Sequence, residues 1–415
     1  MNGGTAQVAI AEAAALQARG HRVSFMAGVG PVDTRLTEAG VHVHLTGQQE
    51  IAVDRNPFRA ALHGFRNGQA ERAMKEQLEG LSAKQTVVHL HGWTKCLSAS
   101  VIRPAVDAGF PVLVHLHDYF SVCPNGGLYN FQTNLSCSLK PMSAACLLSH
   151  CDKKSYAHKL YRVARQTIQN RLNGIPSRTR YFAAVSLFSR KIMGPYLPIE
   201  ATIFDLPNPV DIERQLPARP LDSETFVWVG RLSPEKGTML FARAAARAGA
   251  SALFVGDGPQ RDEIARGYAG AAITGWLEPL QVQQMIRKSR ALVYSPVCYE
   301  TQGLAVLEAA ALGVPAIVSD GCAAREAVVD NVTGLLFKSG DEEDLADKIR
   351  HLATGDQAAE MGRQAYDRYW TEPPTMAAHI EKLESVYRAI LNRESAALDR
   401  PAVSEVTASI SGMSE

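Results

Sequence analysis

The amino-acid sequence predicts an α/β protein with two doubly wound domains, each built on a mostly parallel sheet. Short apolar runs typical of buried strands alternate with helical segments along most of the 415-residue chain. A proline-rich, polar stretch over residues 207–223 divides this alternation into two series and indicates a hinge. Several runs end in Gly or His, at the strand ends where such sheets bind ligands.

The composition is that of an ordinary globular protein. The net charge is +1, with 46% hydrophobic and 20% charged residues, so nothing favours a nucleic-acid partner. No apolar run reaches the ~18 residues of a membrane-spanning helix, and no signal peptide opens the chain. We therefore expect a cytoplasmic protein.

The first domain is expected over residues 1–207. The domain begins with a Gly turn that leads into a helix over residues 5–19. A doubly wound sheet normally has a strand before such a turn. Either the gene starts upstream, or this domain lacks a strand that is normally central, and we expect the upstream start. The strand-like runs that follow lie at 21–28, 41–46, 86–92, 111–118, 180–186 and 201–207, and residues 57–82 predict one long helix or two.

Two predicted strand ends of this domain carry histidine. His91 closes one strand, and His117 with Asp118 closes the next. A histidine at such an end can donate to a substrate hydroxyl, or it can simply satisfy loop carbonyls. His89 and His115 lie deeper in the same strands, and we expect them to be structural.

An insertion over residues 119–155 holds four of the seven cysteines. Their concentration in one insertion of a chain expected to be cytoplasmic predicts a structural zinc site, bound by four thiolates or by three and a histidine, although the spacing is not the paired C-x-x-C arrangement. An iron–sulfur cluster and unlinked thiols are the alternatives. The four residues are Cys123, Cys137, Cys146 and Cys151.

A basic, amphipathic helix is expected over residues 153–171. It either presents a solvated charged face or lies on an anionic membrane surface, which would bring the protein to a lipid-linked acceptor. Its basic residues are Lys153, Lys154, Lys159, Arg162, Arg165 and Arg171.

The second domain is expected over residues 208–372. Its first strand ends in a Gly turn that carries Arg231 and Lys236. The planar guanidinium of Arg231 and the compact ammonium of Lys236 are suited to binding a diphosphate. An incidental surface turn is the alternative. The predicted strands lie at 225–230, 251–256, 271–275, 291–296, 315–320 and 334–338.

The stretch from Glu300 to Glu308 is the most informative part of this domain. Gly303 and Leu304 open a helix, whose free N–H groups and positive dipole end suit a phosphate. Glu300 and Glu308 flank that helix start, and their carboxylates can accept hydrogen bonds from sugar hydroxyls. The alternative is an Ala-rich core helix with two solvated glutamates.

These segments together resemble a known family. Gly-Arg-Leu-Ser-Pro-Glu-Lys-Gly (230–237), Gly-Asp-Gly-Pro (256–259), Gly-Trp-Leu (275–277) and Glu-x7-Glu (300–308) occur in order, each at a strand end. They resemble the nucleotide-sugar-binding half of the retaining glycosyltransferases with the GT-B fold, of the group 1 (family 4) type, a family that includes exopolysaccharide and capsule enzymes. The segments Asn-Gly-Gly-Thr (2–5) and Asn-Pro-Val-Asp (208–211) and the His117–Asp118 pair resemble its first half and hinge.

The resemblance implies two Rossmann-like domains that face each other across a cleft. Arg231 and Lys236 would hold the donor diphosphate, Glu300 would contact the donor sugar, and His117 would lie beside that sugar. Glu308 would bind the ribose. The other residues implied to bind the nucleotide-sugar are Gly3, Gly4, Gly230, Gly256, Trp276, Leu277, Gly303 and Leu304.

The implied activity is transfer of a hexose from a UDP- or GDP-sugar to a hydroxyl of a polysaccharide or lipid-linked glycan, with retained anomeric configuration. No catalytic metal is expected, because cationic side chains and the helix start stabilise the leaving diphosphate. A helix over 373–392 would return to the first domain, and residues 393–415 would form a disordered tail. The alternatives are a GT-B epimerase or phosphorylase, and a non-catalytic nucleotide-sugar-binding protein.

Overall fold

The computed structural model describes residues 4–51, 53–54 and 56–398, and it has two α/β domains with parallel sheets. All twelve strands expected from the sequence are present, together with a short hairpin in the cysteine insertion. The strands of the first domain are β1 (Ser24–Ala27), β2 (His42–Leu45), β3 (Val88–Leu90), β4 (Val112–Leu116), β5 (Tyr129–Asn130), β6 (Leu135–Ser136), β7 (Tyr181–Ala184) and β8 (Thr202–Asp205).

The helices of the first domain lie against these strands. The expected helical region at 57–82 is two helices, because Asn67 starts a new one by accepting the N–H of Ala70. The helices are α1 (Gly4–Ala18), α2 (Thr34–Glu38), α3 (Pro57–Phe65), α4 (Gly68–Leu78), α5 (Arg103–Asp107), α6 (Ala144–Leu148), α7 (Tyr156–Ile168) and α8 (Leu187–Met193).

The second domain contains a regular βα series. Its strands are β9 (Thr225–Val229), β10 (Ser251–Val255), β11 (Ala271–Ile273), β12 (Ala291–Tyr294), β13 (Ala316–Ser319) and β14 (Gly334–Phe337). Its helices are α9 (Thr238–Ala248), α10 (Arg261–Gly267), α11 (Pro279–Arg287), α12 (Leu304–Leu312), α13 (Glu342–Ala353) and α14 (Gln357–Thr371), and α15 (Met376–Leu398) follows them.

The two domains differ in how complete their sheets are. In the second, six parallel strands form one sheet in the order β11-β10-β9-β12-β13-β14. In the first, β3-β4-β7-β8 form one parallel sheet, while β1 and β2 form a separate parallel pair. The described part of the chain has no strand ahead of α1, and no described strand joins β1 to β3.

Helix α15 crosses back from the second domain and packs on the first. Ile380, Leu383, Val386 and Ile390 on this helix are buried in one cluster with Leu16 of α1. The helix continues to Leu398, beyond the expected end at residue 392, so the first part of the expected tail is helical. The rest of that tail, residues 399–415, lies outside the described residues.

Candidate functional site

The central crevice of the second domain lies where the strand order reverses. Strand β9 pairs with β10 on one side and with β12 on the other, and all three are parallel. The chain therefore leaves β9 in one direction and returns on its other side. Such a reversal separates the two following loops and creates a binding crevice at the carboxyl ends of the strands.

Lys236 and Glu300 meet in this crevice. Lys236 Nζ donates to Glu300 Oε1, and the pair joins the loop after β9 to the loop after β12. Burial by itself would raise the pKa of Glu300, but the Lys236 ammonium holds that pKa below its usual value. Burial would likewise lower the pKa of Lys236, and the Glu300 carboxylate instead raises it. Both groups are therefore charged at neutral pH.

Two further side chains fix the Glu300 carboxylate. The hydroxyl of Tyr294, the last residue of β12, donates to Glu300 Oε2 at 3.2 Å. The Cys298 thiol lies 3.6 Å from Glu300 Oε1. Sequence reasoning missed both residues. Tyr294 belongs to an apolar strand-like run, where its ring predicts packing and nothing indicates the direction of its hydroxyl.

Helix α12 begins beside this pair. Gly303 has φ +95°, a left-handed conformation, and a Cβ there would meet the Cβ of Ala324 at 2.5 Å. Glycine therefore makes both the turn and the close approach. Leu304 is the first helical residue, so the unpaired N–H groups of the first turn face the crevice edge.

The neighbouring loops are packed as closely as glycine allows. A Cβ on Gly256 would lie 1.9 Å from the carbonyl oxygen of Gly230, and one on Gly237 would lie 1.8 Å from that of Ser295. Gly230 also donates to the carbonyl of Val255 at 3.0 Å. The turns after β9, β10 and β12 are thus held against one another.

Arg231 and Glu308 lie near the crevice, and within the described residues their side chains make no hydrogen bond or ion pair. Arg231 is exposed directly after the β9 turn, and Glu308 is half-buried one turn into α12. Burial raises the pKa of Glu308 above its usual value. Their assignment to the diphosphate and to the ribose stays a prediction.

Trp276 follows β11 in the same row of loops. Its side chain is 80% exposed, so it is not part of the core. Leu277 is partly buried against the α11–α12 side of the sheet. Gly4 is the first residue of α1, and Gly3 lies outside the described residues. The roles of these residues toward a ligand also stay predictions.

The first domain faces the crevice through His117. Thr301, in the loop between Glu300 and Gly303, donates through Oγ1 to the carbonyl oxygen of His117 at 3.0 Å. Ser186 Oγ donates in turn to the carbonyl of Thr301 at 2.6 Å. The strand-end loops of both domains therefore meet at the same place.

A second contact between the domains lies beside the first. The carboxylate of Glu326 accepts the backbone N–H groups of Leu187 and Phe188, at 3.2 and 2.5 Å, at the start of α8. A carboxylate at a helix start is favoured by the unpaired N–H groups and the dipole there. Glu326 was missed in the sequence, because nothing local links it to a helix in the other domain.

Next to His117, Asp118 is half-buried and accepts the N–H of Phe120 at 2.9 Å. Burial raises the pKa of Asp118 to about 6. His117 Nε2 lies 3.1 Å from Nδ1 of His91, so the two histidines expected at strand ends are in contact.

The cysteine insertion is organised around a buried lysine. Lys159 Nζ lies 3.1 Å from the sulfur of Cys151 and 3.5 Å from that of Cys146. The insertion does not bring three described metal-ligating atoms within 4.8 Å of one another. A zinc ion would require the four thiols to move closer together, and the zinc site stays a prediction.

The basic helix α7 is less solvated than the sequence suggested. Lys159 is fully buried, Arg162 pairs with Asp152 at 2.8 Å, and Arg165 lies over the ring of Phe120 at 5.1 Å. Three of the six basic residues of the expected helix thus contact the insertion, while Lys153, Lys154 and Arg171 lie outside α7 and are exposed. None of the described helices is both long and apolar enough to cross a bilayer.

Both halves of the chain match known families. Residues 3–167 match the glycosyl transferase 4-like domain, and residues 223–355 match glycosyl transferases group 1. The site described above lies in the second match, and His117 lies in the first.

Curated relatives are similar over part of the chain. Alpha-D-kanosaminyltransferase of Streptomyces kanamyceticus is 27% identical over 180 residues, covering 41% of this chain and 46% of that protein. D-inositol 3-phosphate glycosyltransferase of Mycolicibacterium smegmatis is 30% identical over 164 residues, 37% of this chain and 38% of the relative. The chain thus spans less than half the length of these relatives.

Solved structures match nearly the whole chain and show the GT-B fold. Sucrose-phosphate synthase from Thermosynechococcus elongatus superposes with a TM-score of 0.68 at 17% identity, over 94% of each chain. HepE of Anabaena, solved with UDP and glucose, superposes with a TM-score of 0.63 at 15% identity, over 93% of this chain and 96% of the other.

Proposed function

We propose that the protein is a retaining glycosyltransferase that moves a hexose from a UDP- or GDP-sugar to a hydroxyl of a polysaccharide or lipid-linked glycan. The observation that carries this proposal is the Lys236–Glu300 pair at the strand-order reversal, beside the start of α12. The similarity of both halves to glycosyltransferase families supports it, as do the α-glycosyl transfers that some relatives' names describe.

The chemistry follows from the charges in the crevice. When the anomeric C–O bond breaks, its electron pair goes to the departing diphosphate. The acceptor hydroxyl oxygen forms the new bond to the anomeric carbon, and its proton passes to the diphosphate. Lys236, Arg231 and the N–H groups at the start of α12 stabilise that negative charge without a metal ion. Glu300, held by the Tyr294 hydroxyl, accepts hydrogen bonds from donor-sugar hydroxyls.

The donor changes the partners of the site residues. Before binding, Lys236 and Glu300 neutralise each other. The diphosphate offers Lys236 a stronger anionic partner, and the sugar hydroxyls offer Glu300 new donors. Thr301 contacts His117, which supports a first domain that lies next to the proposed sugar position, where an acceptor hydroxyl must arrive.

A donor screen tests the proposal. The protein is incubated with UDP- and GDP-hexoses and a set of glycan acceptors, and products are identified by mass spectrometry. We expect acceptor glycosylation with one donor, and its loss in Lys236→Ala and Glu300→Ala. Lys288→Ala and Glu224→Ala, which change residues outside the crevice, are matched controls and should retain activity.

Other results would contradict the proposal. An epimerase would convert the donor sugar, and a phosphorylase would release a sugar phosphate, in both cases without acceptor glycosylation. A binding protein would show nucleotide-sugar affinity by calorimetry and no turnover. Full transfer activity in either site variant would remove the Lys236–Glu300 assignment.

A further inference from the structure

A second cluster of polar side chains lies inside the first domain, away from the strand-order reversal. Glu12 of α1 is 2% exposed and faces three imidazoles from β3 and β4 and the residue after β3. One ligand atom from each of four residues lies within 4.8 Å of the others: Glu12, His89, His91 and His115.

The distances suit ligands of one ion. Glu12 Oε2 lies 3.3 Å from Nε2 of His91 and 3.5 Å from Nδ1 of His89. Glu12 Oε1 lies 3.9 Å from Nδ1 of His115. Ligand atoms around a tetrahedral zinc ion, each about 2.0–2.1 Å from the metal, are about 3.3 Å apart. Small side-chain rotations therefore suffice to bring the four atoms onto one centre.

Hydrogen bonding leaves several atoms of this cluster unpaired. Within the described residues, Glu12 Oε2 has no well-aligned donor, and Nδ1 of His115 has no hydrogen-bond partner. Buried polar atoms without partners cost free energy, and a metal ion bound among them would remove that cost. We propose that Glu12, His89, His91 and His115 bind a divalent transition-metal ion of the zinc type.

The surrounding contacts are those of an outer shell. His379 Nε2 lies 2.9 Å from Glu12 Oε1, and its Nδ1 lies 2.8 Å from the carbonyl of Pro207. Tyr387 Oη lies 2.8 Å from His89 Nδ1, a hydrogen bond that an ion bound at this nitrogen would replace. Metal-binding carboxylates usually have partners such as His379, which set their orientation. The ion would fasten α15, through these contacts, to α1 and the sheet.

The site also reaches the cleft. A metal on Nε2 of His91 leaves its Nδ1 as the protonated nitrogen, which then donates to His117 Nε2 at 3.1 Å. The other nitrogen of His117 then carries the proton. The proposed ion thus fixes the tautomer of the histidine that contacts Thr301 through its backbone.

Metal analysis and X-ray absorption test the site without reference to activity. The full chain is purified without chelators, equilibrated with zinc and desalted. We expect about one zinc ion per chain that is lost in Glu12→Gln and in His115→Gln. The matched control, His351→Gln, changes an exposed histidine of α13 and should keep the ion. Far-UV circular dichroism establishes that each variant is folded.

The X-ray absorption spectrum distinguishes zinc at the proposed site from zinc bound by the cysteine insertion. The proposed ligands give a nitrogen and oxygen shell at about 2.0–2.1 Å, whereas thiolates give sulfur at about 2.3 Å. A variant with Cys137→Ser and Cys151→Ser removes two thiols of the insertion and, with them, any zinc bound there. Zinc below about a tenth of an equivalent in that variant, or an all-sulfur shell in the wild type, would overturn the proposal. So would an unchanged zinc content in folded Glu12→Gln and His115→Gln, which would leave Glu12 with its contact to His379 and no ion.

Discussion

Lys236 and Glu300 form an ion pair that connects the loops after β9 and β12, the two strands between which the sheet order reverses. They lie 64 positions apart in the chain. Each holds the other in its charged form, as their pKa shifts indicate. The pair therefore contributes to the fold of the crevice as well as to its proposed chemistry.

The first prediction concerns the coupling between these two charges. Lys236→Met and Glu300→Gln should each cost about 1–3 kcal/mol in free energy of unfolding, because each leaves the other group half-buried without its partner. The double variant should recover much of that loss. Urea denaturation of all four proteins measures this, and simple additivity of the two losses would contradict it.

The second prediction concerns the start of α12. Gly303→Ala should destabilise the protein and weaken nucleoside diphosphate binding, because a Cβ meets Ala324 while φ is +95°. Gly249→Ala is the matched control, since Gly249 also has positive φ, at +66°, but open space around it. The control should lose about 1 kcal/mol and keep its affinity. Equal effects of both substitutions on UDP and GDP binding by calorimetry would contradict this.

The third prediction uses the pH dependence of stability. Burial raises the pKa of Glu308 in the folded protein, so the folded state binds more protons than the unfolded state. The contribution of Glu308 to the free energy of unfolding is therefore fully present below the pKa of the unfolded state. It is lost as the pH rises through the pKa of the folded state. Glu308→Gln should remove that fall. The difference in unfolding free energy between variant and wild type should grow with pH above about 4.5 and then level off.

The same variant separates stability from binding. Glu308→Gln should leave the ligand-free protein at neutral pH as stable as the wild type or more so. It should bind nucleotide-sugar about tenfold more weakly, the loss expected for about one hydrogen bond to a ribose hydroxyl. Unchanged affinity would remove Glu308 from the ribose site.

The fourth prediction concerns Trp276. Because its side chain is 80% exposed, Trp276→Ala should change the unfolding free energy by no more than about 0.5 kcal/mol. If the indole covers the nucleotide base, affinity for UDP or GDP should fall by about 1–3 kcal/mol, the range for stacking of a base on an aromatic ring. Leu280→Ala, at an exposed neighbouring position, is the control. Equal affinities of the two variants would place the base elsewhere.

The local patterns in the chain were sufficient to predict the twelve strands of the parallel sheets. Alternating apolar runs and helix-forming segments placed all twelve strands, because buried parallel strands need continuous apolar residues. The division of residues 57–82 into two helices was left open by these patterns, although the cap of Asn67 on Ala70 is local. The packing of α15 on Leu16 depends on a residue distant in the sequence.

The sequence by itself determined the fold class, the two βα series and the strand-end positions of Lys236, Glu300 and His117, because each depends on local periodicity and turn chemistry. The tertiary structure decided which side chains meet. It directed the hydroxyl of Tyr294 to Glu300, set Glu326 at the start of α8, buried Lys159 among thiols, and gathered Glu12 with three histidines. Such contacts join residues far apart in the chain, and only the packing of the two sheets and α15 fixes their distances.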